Sequence, residues 1–265
     1  MLDSFNRDIN YIRVSVTDRC NLRCIYCMPE EDFEKKSHNE ILSYEQIYDV
    51  VKEAAELGVK KVRLTGGEPL VRKNIDELVA MIRKIKKIET VAMTTNALLL
   101  SSIAEKLKKA GLDSVNISLD TLDDERYKYI TRGGNLKDAL KGIETASKLG
   151  FQLKINVVVY DDKSREELPL LEKYASSVNA KLQTIQYYNI NSQKLDSINY
   201  DRPHRCKYCN RIRLLSDGYL LSCLHSNIKF KIDFNDIRGS IIRCIEGKPE
   251  NGTYSDVKSI STIGG

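Results

Sequence analysis

Cysteines dominate the chemistry available to this 265-residue chain, because six of its seven cysteines fall into two groups of three. The groups are Cys20, Cys24 and Cys27 near the start, and Cys206, Cys209 and Cys223 near the end. An odd count of cysteines, behind a start with no apolar core, argues against a signal peptide and a secreted disulfide framework. The pattern therefore predicts two metal or cluster sites in a protein of the reducing cytoplasm.

The first group has the spacing Cys-x3-Cys-x2-Cys, with no fourth cysteine or histidine nearby. Three thiolates can hold three irons of a 4Fe–4S cube and leave the fourth iron open. An open iron can chelate the amino and carboxylate groups of S-adenosylmethionine, whose reduction then yields a 5′-deoxyadenosyl radical. The alternative is a zinc site, which prefers four ligands in tetrahedral geometry. The spacing therefore favours a radical-generating cluster.

The second group has the spacing Cys-x2-Cys-x13-Cys and again provides three thiolates. They suit a second cube with one open iron, which could hold a nitrogen or oxygen atom of a substrate. The alternative is a zinc ion with His204 or His225 as its fourth ligand. The seventh cysteine, Cys244, falls in a predicted helix and is expected to be a buried thiol.

The middle of the chain repeats one pattern, a helix that ends at a glycine and is followed by a β-rich run. A capping box at Ser43 begins the first such helix, which ends at Gly58, and the pattern returns before Gly111 and Gly150. Further elements are predicted from the spacing of apolar residues. They are strands at 11–16, 91–95 and 182–187, and helices at 75–85 and 166–174.

Strands that alternate with helices of this length indicate parallel βα units. Six units are too few for a closed eight-stranded barrel, so the sequence predicts an α/β fold with an open, partial (β/α)6 barrel. In parallel barrels the chemistry lies at the C-terminal ends of the strands. The pattern breaks at about residue 188, which divides the chain into a barrel domain (1–187) and a small C-terminal domain (188–265).

Composition excludes several classes of protein. Apolar residues make up 42% and charged residues 30%, and no apolar run approaches the roughly 20 residues of a membrane helix. The net charge of +5 is too small for a coat of bound nucleic acid, although it allows a local phosphate site. The sequence therefore predicts a cytoplasmic protein without a nucleic-acid or membrane partner.

The first cysteine group resembles that of the radical S-adenosylmethionine superfamily, and two further features strengthen the resemblance. Gly66-Gly67-Glu68-Pro69 follows the second repeated strand, and Tyr26 stands between the last two cysteines of the group. In that superfamily such a turn binds the amino-acid part of the cofactor, and an aromatic residue lies near the adenine. The resemblance therefore implies that Gly66, Gly67, Glu68 and Tyr26 contact S-adenosylmethionine.

Within that superfamily the chain is similar to the GTP 3′,8-cyclase family over nearly its whole length. The similar segments are 2–7, 12–20, 94–100 and 209–224, and the chain shares the family's Gly-Gly end at Gly264 and Gly265. That family converts GTP into (8S)-3′,8-cyclo-7,8-dihydroguanosine 5′-triphosphate, the first step of molybdopterin biosynthesis. The radical removes the C3′ hydrogen, the C3′ radical adds to guanine C8, and the purine docks at the open iron of the second cluster.

The resemblance also implies further site residues, each taken from its position in a matching motif. The additional cofactor contacts are Asn96, Ser118 and Tyr188. The GTP contacts are Arg13, Arg63, Thr94, Lys154, Arg211 and Arg213. The residues implied in catalysis are Arg211, Arg213, Gly264 and Gly265, the last two as a tail that reaches the active site.

Cofactors and partners follow from the same resemblance. It implies two 4Fe–4S clusters, S-adenosylmethionine, GTP as substrate and a reducing electron donor. Cyclic pyranopterin monophosphate synthase would take the product onward. The oligomeric state stays open, a homodimer included.

The chain departs from the family pattern at and after the sixth predicted strand. Gln183, Gln186 and Tyr188 stand where an Arg-Phe-Ile-Glu-Phe-Met-like strand has its arginine, acid and methionine. Ala97 replaces a usual glycine, and the stretch before Cys206 is shorter than in the family. Two other hypotheses therefore stay open. One is a two-cluster radical enzyme that acts on another nucleotide or a peptide, and the other is a non-enzymatic zinc or iron–sulfur scaffold.

Overall fold

The structure is a computed structural model, and it describes residues 1–28, 37–187, 190–192, 194, 200–201 and 205–257. Three predicted site residues, Tyr188, Gly264 and Gly265, lie outside the described residues. His204, the alternative zinc ligand, also lies outside them.

One sheet of nine strands organises the described part of the chain, in the order β6-β5-β4-β3-β2-β1-β7-β8-β9. Strands β1 to β5 each pair in parallel with the next one along the chain, as successive βα units require. The prediction of an open α/β barrel of six parallel strands is confirmed. The bounds are Tyr11–Ser15 (β1), Lys61–Thr65 (β2), Thr90–Thr95 (β3), Ser114–Ser118 (β4), Gln152–Val159 (β5) and Ala180–Gln186 (β6).

Helices connect the strands and pack against them. They are α1 (Tyr44–Glu56), α2 (Ile75–Arg83), α3 (Leu100–Lys109), α4 (Asp124–Thr131), α5 (Leu136–Lys148), α6 (Asp162–Ser177) and α7 (Ile237–Glu246). The capping box predicted at the start of α1 is present, with Ser43 and Gln46 each accepting from the other's backbone N–H. Among the described residues, no helix combines the length and apolar character needed to span a membrane.

The strands alternate between a side that faces the apolar core and a side that faces a central cavity. In β1, Ile12 and Val14 are fully buried in the core, whereas Arg13 between them lines the cavity. Arg63 in β2 and Lys154 in β5 line the same cavity, and each also stands between two buried apolar residues. Charged residues that interrupt these apolar strands therefore point into the barrel.

The C-terminal strands extend the same sheet beyond β1. They are β7 (Arg211–Leu214), β8 (Tyr219–Leu221) and β9 (Lys229–Lys231). Strand β7 pairs in parallel with β1, and β8 and β9 follow in antiparallel fashion. Helix α7 packs on α1, and its Cys244 is fully buried, as the sequence predicts. The second cysteine group therefore flanks the first strand of the barrel, and the division of the chain at residue 188 stays a prediction.

Candidate functional site

A cavity of about 380 Å³ runs through the barrel and carries both cysteine groups on its wall. The first group follows the C-terminal end of β1, as expected for a parallel barrel. Cys206 and Cys209 instead precede the first residue of β7, so the expectation that the chemistry lies only at C-terminal strand ends is wrong for the second group. Every described residue that the sequence predicts to belong to the site lines this cavity. These residues are Arg13, Tyr26, Arg63, Gly66, Gly67, Glu68, Thr94, Asn96, Ser118, Lys154, Arg211, Arg213 and the cysteines of the two groups. The fold therefore gathers residues from both ends of the chain into one chamber.

The turn after β2 is pressed against the loop that carries the first cysteine group. Gly67 N donates to Thr17 O at 2.8 Å, and Glu68 N donates to Arg19 O at 2.8 Å. A Cβ atom at Gly67 would lie 2.2 Å from Arg19 O, so this position requires glycine. The turn is thus locked to the cysteine loop while its backbone lines the cavity.

Glu68 is buried beneath this turn and ties it to the end of β3. Its carboxylate accepts from Leu70 N at 3.0 Å, from Thr95 Oγ1 at 2.7 Å and from Asn96 N at 2.7 Å. Burial raises the pKa of Glu68 to about 7, although these hydrogen bonds lower it. Protein donors therefore already occupy the carboxylate, and its contact with a cofactor stays a prediction.

Tyr26, between the second and third cysteines of the first group, is held by Asp120. The Tyr26 hydroxyl donates to Asp120 Oδ2 at 2.5 Å, and Val158 N donates to Asp120 Oδ1 at 2.8 Å. Burial raises the pKa of Asp120 to about 6, although both hydrogen bonds lower it. Asp120 was not predicted from the sequence, yet an acidic residue just past a barrel strand is a recognisable signal.

The thiols of the first group are partly buried and close to one another. Burial raises the pKa of Cys20 to about 11, and burial together with the neighbouring Cys27 raises that of Cys24 well above its usual value. Thiols in such surroundings become thiolates when a metal cation takes the place of the proton. Three soft donors that face an open cavity fit a 4Fe–4S cube with one iron left for a further ligand.

The second cysteine group surrounds a buried lysine. Lys248, 3% exposed, donates from Nζ to Arg211 O at 2.9 Å and to Ser222 O, beside Cys223. Burial raises the pKa of Cys209, but the charges of Lys248 and Arg211 outweigh it and the net shift is downward. Lys248 thus favours a thiolate here, which fits a second cluster. No sequence pattern marks Lys248.

The N-terminal segment holds the backbone of this second group. Arg7, paired with the buried Asp3 at 2.6 Å, donates from Nη1 to Cys206 O at 3.1 Å. It also donates to Pro249 O at 2.7 Å and to Glu250 O at 2.8 Å. The buried Asp3–Arg7 pair therefore fixes both Cys206 and the chain that follows Lys248.

The two cysteine groups can also be compared with the ligand set that a zinc ion requires. Among the described residues, no three His, Cys, Asp or Glu side chains are grouped so that they could hold one metal ion. The ligands of a zinc ion converge on one point, whereas the thiolates of a cube bind separate iron atoms at different corners. His225 is buried in the cavity wall on the segment that follows Cys223. By their chemistry alone, three thiolates in each group are a donor set that fits a cube.

Two rows of residues cross strands β2, β1 and β7 and form a basic wall of the cavity. The register partners are Arg63, Arg13 and Arg213 in one row, and Lys61, Tyr11 and Arg211 in the other. All of them line the cavity. Burial, together with the neighbouring guanidinium groups, holds the pKa of Arg13 well below its usual value. Such concentrated positive charge is complementary to a polyanion such as a triphosphate.

Arg63 is fixed within this basic wall. Its Nη1 donates to Met93 O at 2.9 Å and to Thr94 Oγ1 at 3.4 Å. Its Nε donates to the Tyr11 hydroxyl at 2.9 Å. Tyr11 and Lys61 were not predicted as site residues, because neither belongs to a motif that the sequence presents.

The wall formed by β4, β5 and β6 is polar rather than basic. Gln183, at the position where the family pattern has arginine, donates from Nε2 to Asn156 Oδ1 at 3.1 Å. Gln186 lines the cavity as well. Among the described residues of β4, β5 and β6 that line the cavity, Lys154 is the one cation. This side of the cavity therefore carries less positive charge than the basic wall.

Comparison with protein families and curated proteins gives consistent matches. The model of the radical SAM superfamily matches residues 14–175. GTP 3′,8-cyclase of Clostridium botulinum is 43% identical over 270 residues, which cover 85% of this chain and 84% of that protein. GTP 3′,8-cyclase of Alkaliphilus metalliredigens is 38% identical over 320 residues, with 100% of both chains covered.

Solved structures match at lower sequence identity and show the fold alone. Streptococcus suis SuiB bound to S-adenosylmethionine has a TM-score of 0.68 and 18% identity, over 88% of this chain. This chain spans 65% of the SuiB chain. The structure of anSMEcpe with bound AdoMet has a TM-score of 0.65 and 16% identity, over 89% of this chain and 82% of that chain.

Proposed function

Because the chain belongs to the GTP 3′,8-cyclase family of the radical S-adenosylmethionine superfamily, we propose that it cyclises GTP to (8S)-3′,8-cyclo-7,8-dihydroguanosine 5′-triphosphate. This reaction is the first step of molybdopterin biosynthesis. The observation that carries the proposal is the single cavity, where two cysteine groups and a basic wall meet. A radical source, a second metal centre and a triphosphate site are the three parts that the reaction needs.

The first cysteine group would hold the cluster and S-adenosylmethionine. Together these would supply the 5′-deoxyadenosyl radical needed to remove the C3′ hydrogen of the ribose. The backbone of Gly66 and Gly67, which lines the cavity, would contact the amino-acid part of the cofactor, and Asn96 and Ser118 would add further contacts. The ring of Tyr26, held through its hydroxyl by Asp120, would lie near the adenine.

The basic wall binds the triphosphate. Arg13, Arg63 and Arg213 form one row and Arg211 belongs to the other, so phosphate oxygens meet several bidentate donors at once. Thr94 and Lys154 complete the contacts. A nucleotide held in this way at its triphosphate would share one cavity with the two cysteine groups.

The second cysteine group would hold a second cluster, which would supply an iron for binding of the purine. Arg7 and Lys248 hold the backbone around this group, which keeps the base in a fixed place while C3′ bonds to C8. Effective catalysis of ring closure needs such fixation, because the two reacting carbons must approach in one geometry. The Gly264–Gly265 tail is proposed to reach the same cavity and complete it.

The remaining partners belong to the same proposal. A reducing protein supplies the electron for the first cluster, in the cytoplasm, where thiolate clusters persist. Cyclic pyranopterin monophosphate synthase consumes the product.

Gln183 supports a second candidate, a two-cluster radical enzyme for another nucleotide or a peptide. Its amide offers no charge to a γ-phosphate and is engaged with Asn156. A substrate with fewer negative charges than GTP would lose less binding free energy when glutamine stands in place of arginine at position 183.

Anaerobic assay of the reconstituted protein tests the proposal. Protein with about eight irons per chain, as two cubes require, is reduced and incubated with S-adenosylmethionine and either GTP or ATP. Deoxyadenosine and the cyclised guanosine product are then measured by mass spectrometry. Product from GTP alone supports the proposal. Deoxyadenosine without a cyclised product favours the second candidate, and zinc at unit stoichiometry in place of iron contradicts both.

A further inference from the structure

Tyr11 lies at the centre of the basic wall, and no role is assigned to it above. Its side chain is buried, with 8% of the residue exposed, between register partners Lys61 on β2 and Arg211 on β7. Lys61 Nζ and the guanidinium carbon of Arg211 each lie 5.5 Å from the ring centre. Both distances are within the range of cation–π attraction.

The hydroxyl group of Tyr11 contacts a third cation. It accepts a hydrogen bond from Arg63 Nε at 2.9 Å. One phenol therefore contacts Lys61 and Arg63 on one neighbouring strand and Arg211 on the other. In the absence of these contacts, like charges on adjacent strands would repel one another and turn apart.

We propose that Tyr11 is a positioning residue for a bound triphosphate: it presets Lys61, Arg63 and Arg211 in one arrangement before the substrate arrives. The proposal rests on the proposed function, because it assigns the triphosphate of that substrate to this wall. Side chains that are already ordered lose less conformational entropy on binding, so affinity depends on the preset arrangement.

The charge of the phenol gives the proposal a signature in pH. Burial raises the pKa of Tyr11, but the charges of Arg13, Arg63 and Arg211 outweigh it and hold this pKa at about 8. Lys61 on β2 and Arg213 on β7 are the other charged groups of the wall that surround it. Above pH 8 the phenolate competes with the triphosphate for these cations. Bound triphosphate returns the pKa of Tyr11 toward its usual value, so binding weakens about tenfold from pH 7 to pH 9.

The test measures equilibrium binding to the reconstituted holoenzyme at pH 7 and pH 9. The probes are GTP and inorganic tripolyphosphate, which carries the phosphates without the base. Tyr11→Phe removes the hydroxyl and keeps the ring, and Tyr11→Leu removes both. Tyr129→Phe is the matched control, because Tyr129 on α4 is 67% exposed and does not line the cavity.

Tyr11→Phe is expected to weaken both probes about tenfold at pH 7, as loss of a hydrogen bond to a charged group does. Its affinity for the probes should be the same at pH 9 as at pH 7, whereas the affinity of the wild type falls between these pH values. Tyr11→Leu should bind more weakly still, and Tyr129→Phe should match the wild type at both pH values. In turnover, Tyr11→Phe should raise KM and leave kcat nearly unchanged, because the phenol acts on binding rather than on the reacting atoms.

Tyr11→Phe with wild-type affinity and a wild-type pH profile overturns the proposal. If Tyr11→Leu does not fold, the comparison of Tyr11→Phe with Tyr129→Phe decides the matter alone. If the wild type binds tripolyphosphate but not GTP, and Tyr11→Phe no longer binds tripolyphosphate, the role of Tyr11 stands. GTP is then excluded as the substrate. If the wild type binds neither probe, the proposed function fails, and the role of Tyr11 fails with it.

Discussion

The Tyr26 hydroxyl donates a 2.5 Å hydrogen bond to Asp120, and this contact joins the first cysteine loop to the end of β4 across 94 residues of sequence. Asp120 in turn accepts from Val158 N on β5. The aromatic ring that we assign to the adenine is therefore oriented by the protein before any cofactor binds. Such preorganisation reduces the entropy lost on binding.

Tyr26→Phe separates the roles of ring and hydroxyl. The variant keeps the ring, so the affinity for S-adenosylmethionine should stay within about threefold, since cation–π and stacking contacts use the ring face. The free energy of unfolding should fall by about 1–3 kcal/mol, because the buried Asp120 loses a donor. Tyr26→Ala should lose both the affinity for S-adenosylmethionine and the stability that the hydroxyl provides. Urea unfolding and equilibrium cofactor binding measure them, and equal losses of affinity in the two variants would contradict the assignment of the ring.

Single cysteine variants should distinguish the two clusters. Cys24→Ala is expected to reduce iron from about eight to about four per chain and to abolish deoxyadenosine formation. Cys209→Ala should show the same loss of iron but retain deoxyadenosine formation without a cyclised product. Cys244→Ala, at a fully buried thiol of α7, is the control and should keep all the iron. Iron analysis and mass spectrometry measure these outcomes, and iron loss in Cys244→Ala would show that the effect is not specific to the two groups.

Gln183→Arg should restore a cation to the polar wall of the cavity. A charge-assisted contact with a phosphate contributes about 1.5–3 kcal/mol, so GTP binding should tighten about tenfold or more. Gln152→Arg adds the same charge at an exposed position at the start of β5 and should leave the affinity unchanged. Isothermal titration at two salt concentrations measures both variants. Unchanged affinity in Gln183→Arg would mean that the triphosphate does not reach β6.

Glu68 should make the metal-free protein less stable as the pH rises. Its pKa is about 7 in the folded protein, against a usual 4.5. The folded state therefore holds this proton more tightly, and the stabilisation is fully present below pH 4.5 and lost as the pH rises through 7. Glu68→Gln should reduce the decline in unfolding free energy between pH 5 and pH 8 by up to about 3 kcal/mol.

Urea unfolding of both proteins at the two pH values tests this expectation. Asp120, whose pKa is raised to about 6 by burial, contributes to the decline in both proteins and cancels in the comparison. An equal decline in wild type and Glu68→Gln would show that Glu68 does not titrate in this range.

The sequence predicted the local part of the architecture well, because local patterns encode it. The helix that Ser43 caps and the strands that carry Arg13 and Arg63 are visible in apolar spacing over short windows. The cavity also gathers the described residues that were predicted for the site, because alternate residues of the parallel strands face the inside of the barrel. The position of the second cysteine group at the N-terminal end of β7 was not expected.

Other parts of the site could not be predicted, because they depend on contacts between distant segments. Asn210 Nδ2 donates to Asn10 Oδ1 at 2.8 Å across 200 residues of sequence, at the start of the pairing between β1 and β7. No local sequence pattern predicts the pairing of β1 with β7. The contact of Tyr11 with Arg211 follows from this pairing. The contact of Lys248 with Ser222 depends in the same way on segments that are distant in sequence, and no local pattern predicts either contact.

The pairing of β1 with β7 also sets an order of events during synthesis. While the ribosome is still making the first two hundred residues, β1 has a partner on one side only. Its other edge, with the apolar Ile12 and Val14, offers unpaired backbone groups to any neighbouring chain. A nascent or truncated chain that stops before Arg211 thus carries an aggregation-prone edge and lacks the part of the basic wall that Arg211 and Arg213 form. Completion of translation protects the protein and creates its substrate site in the same step.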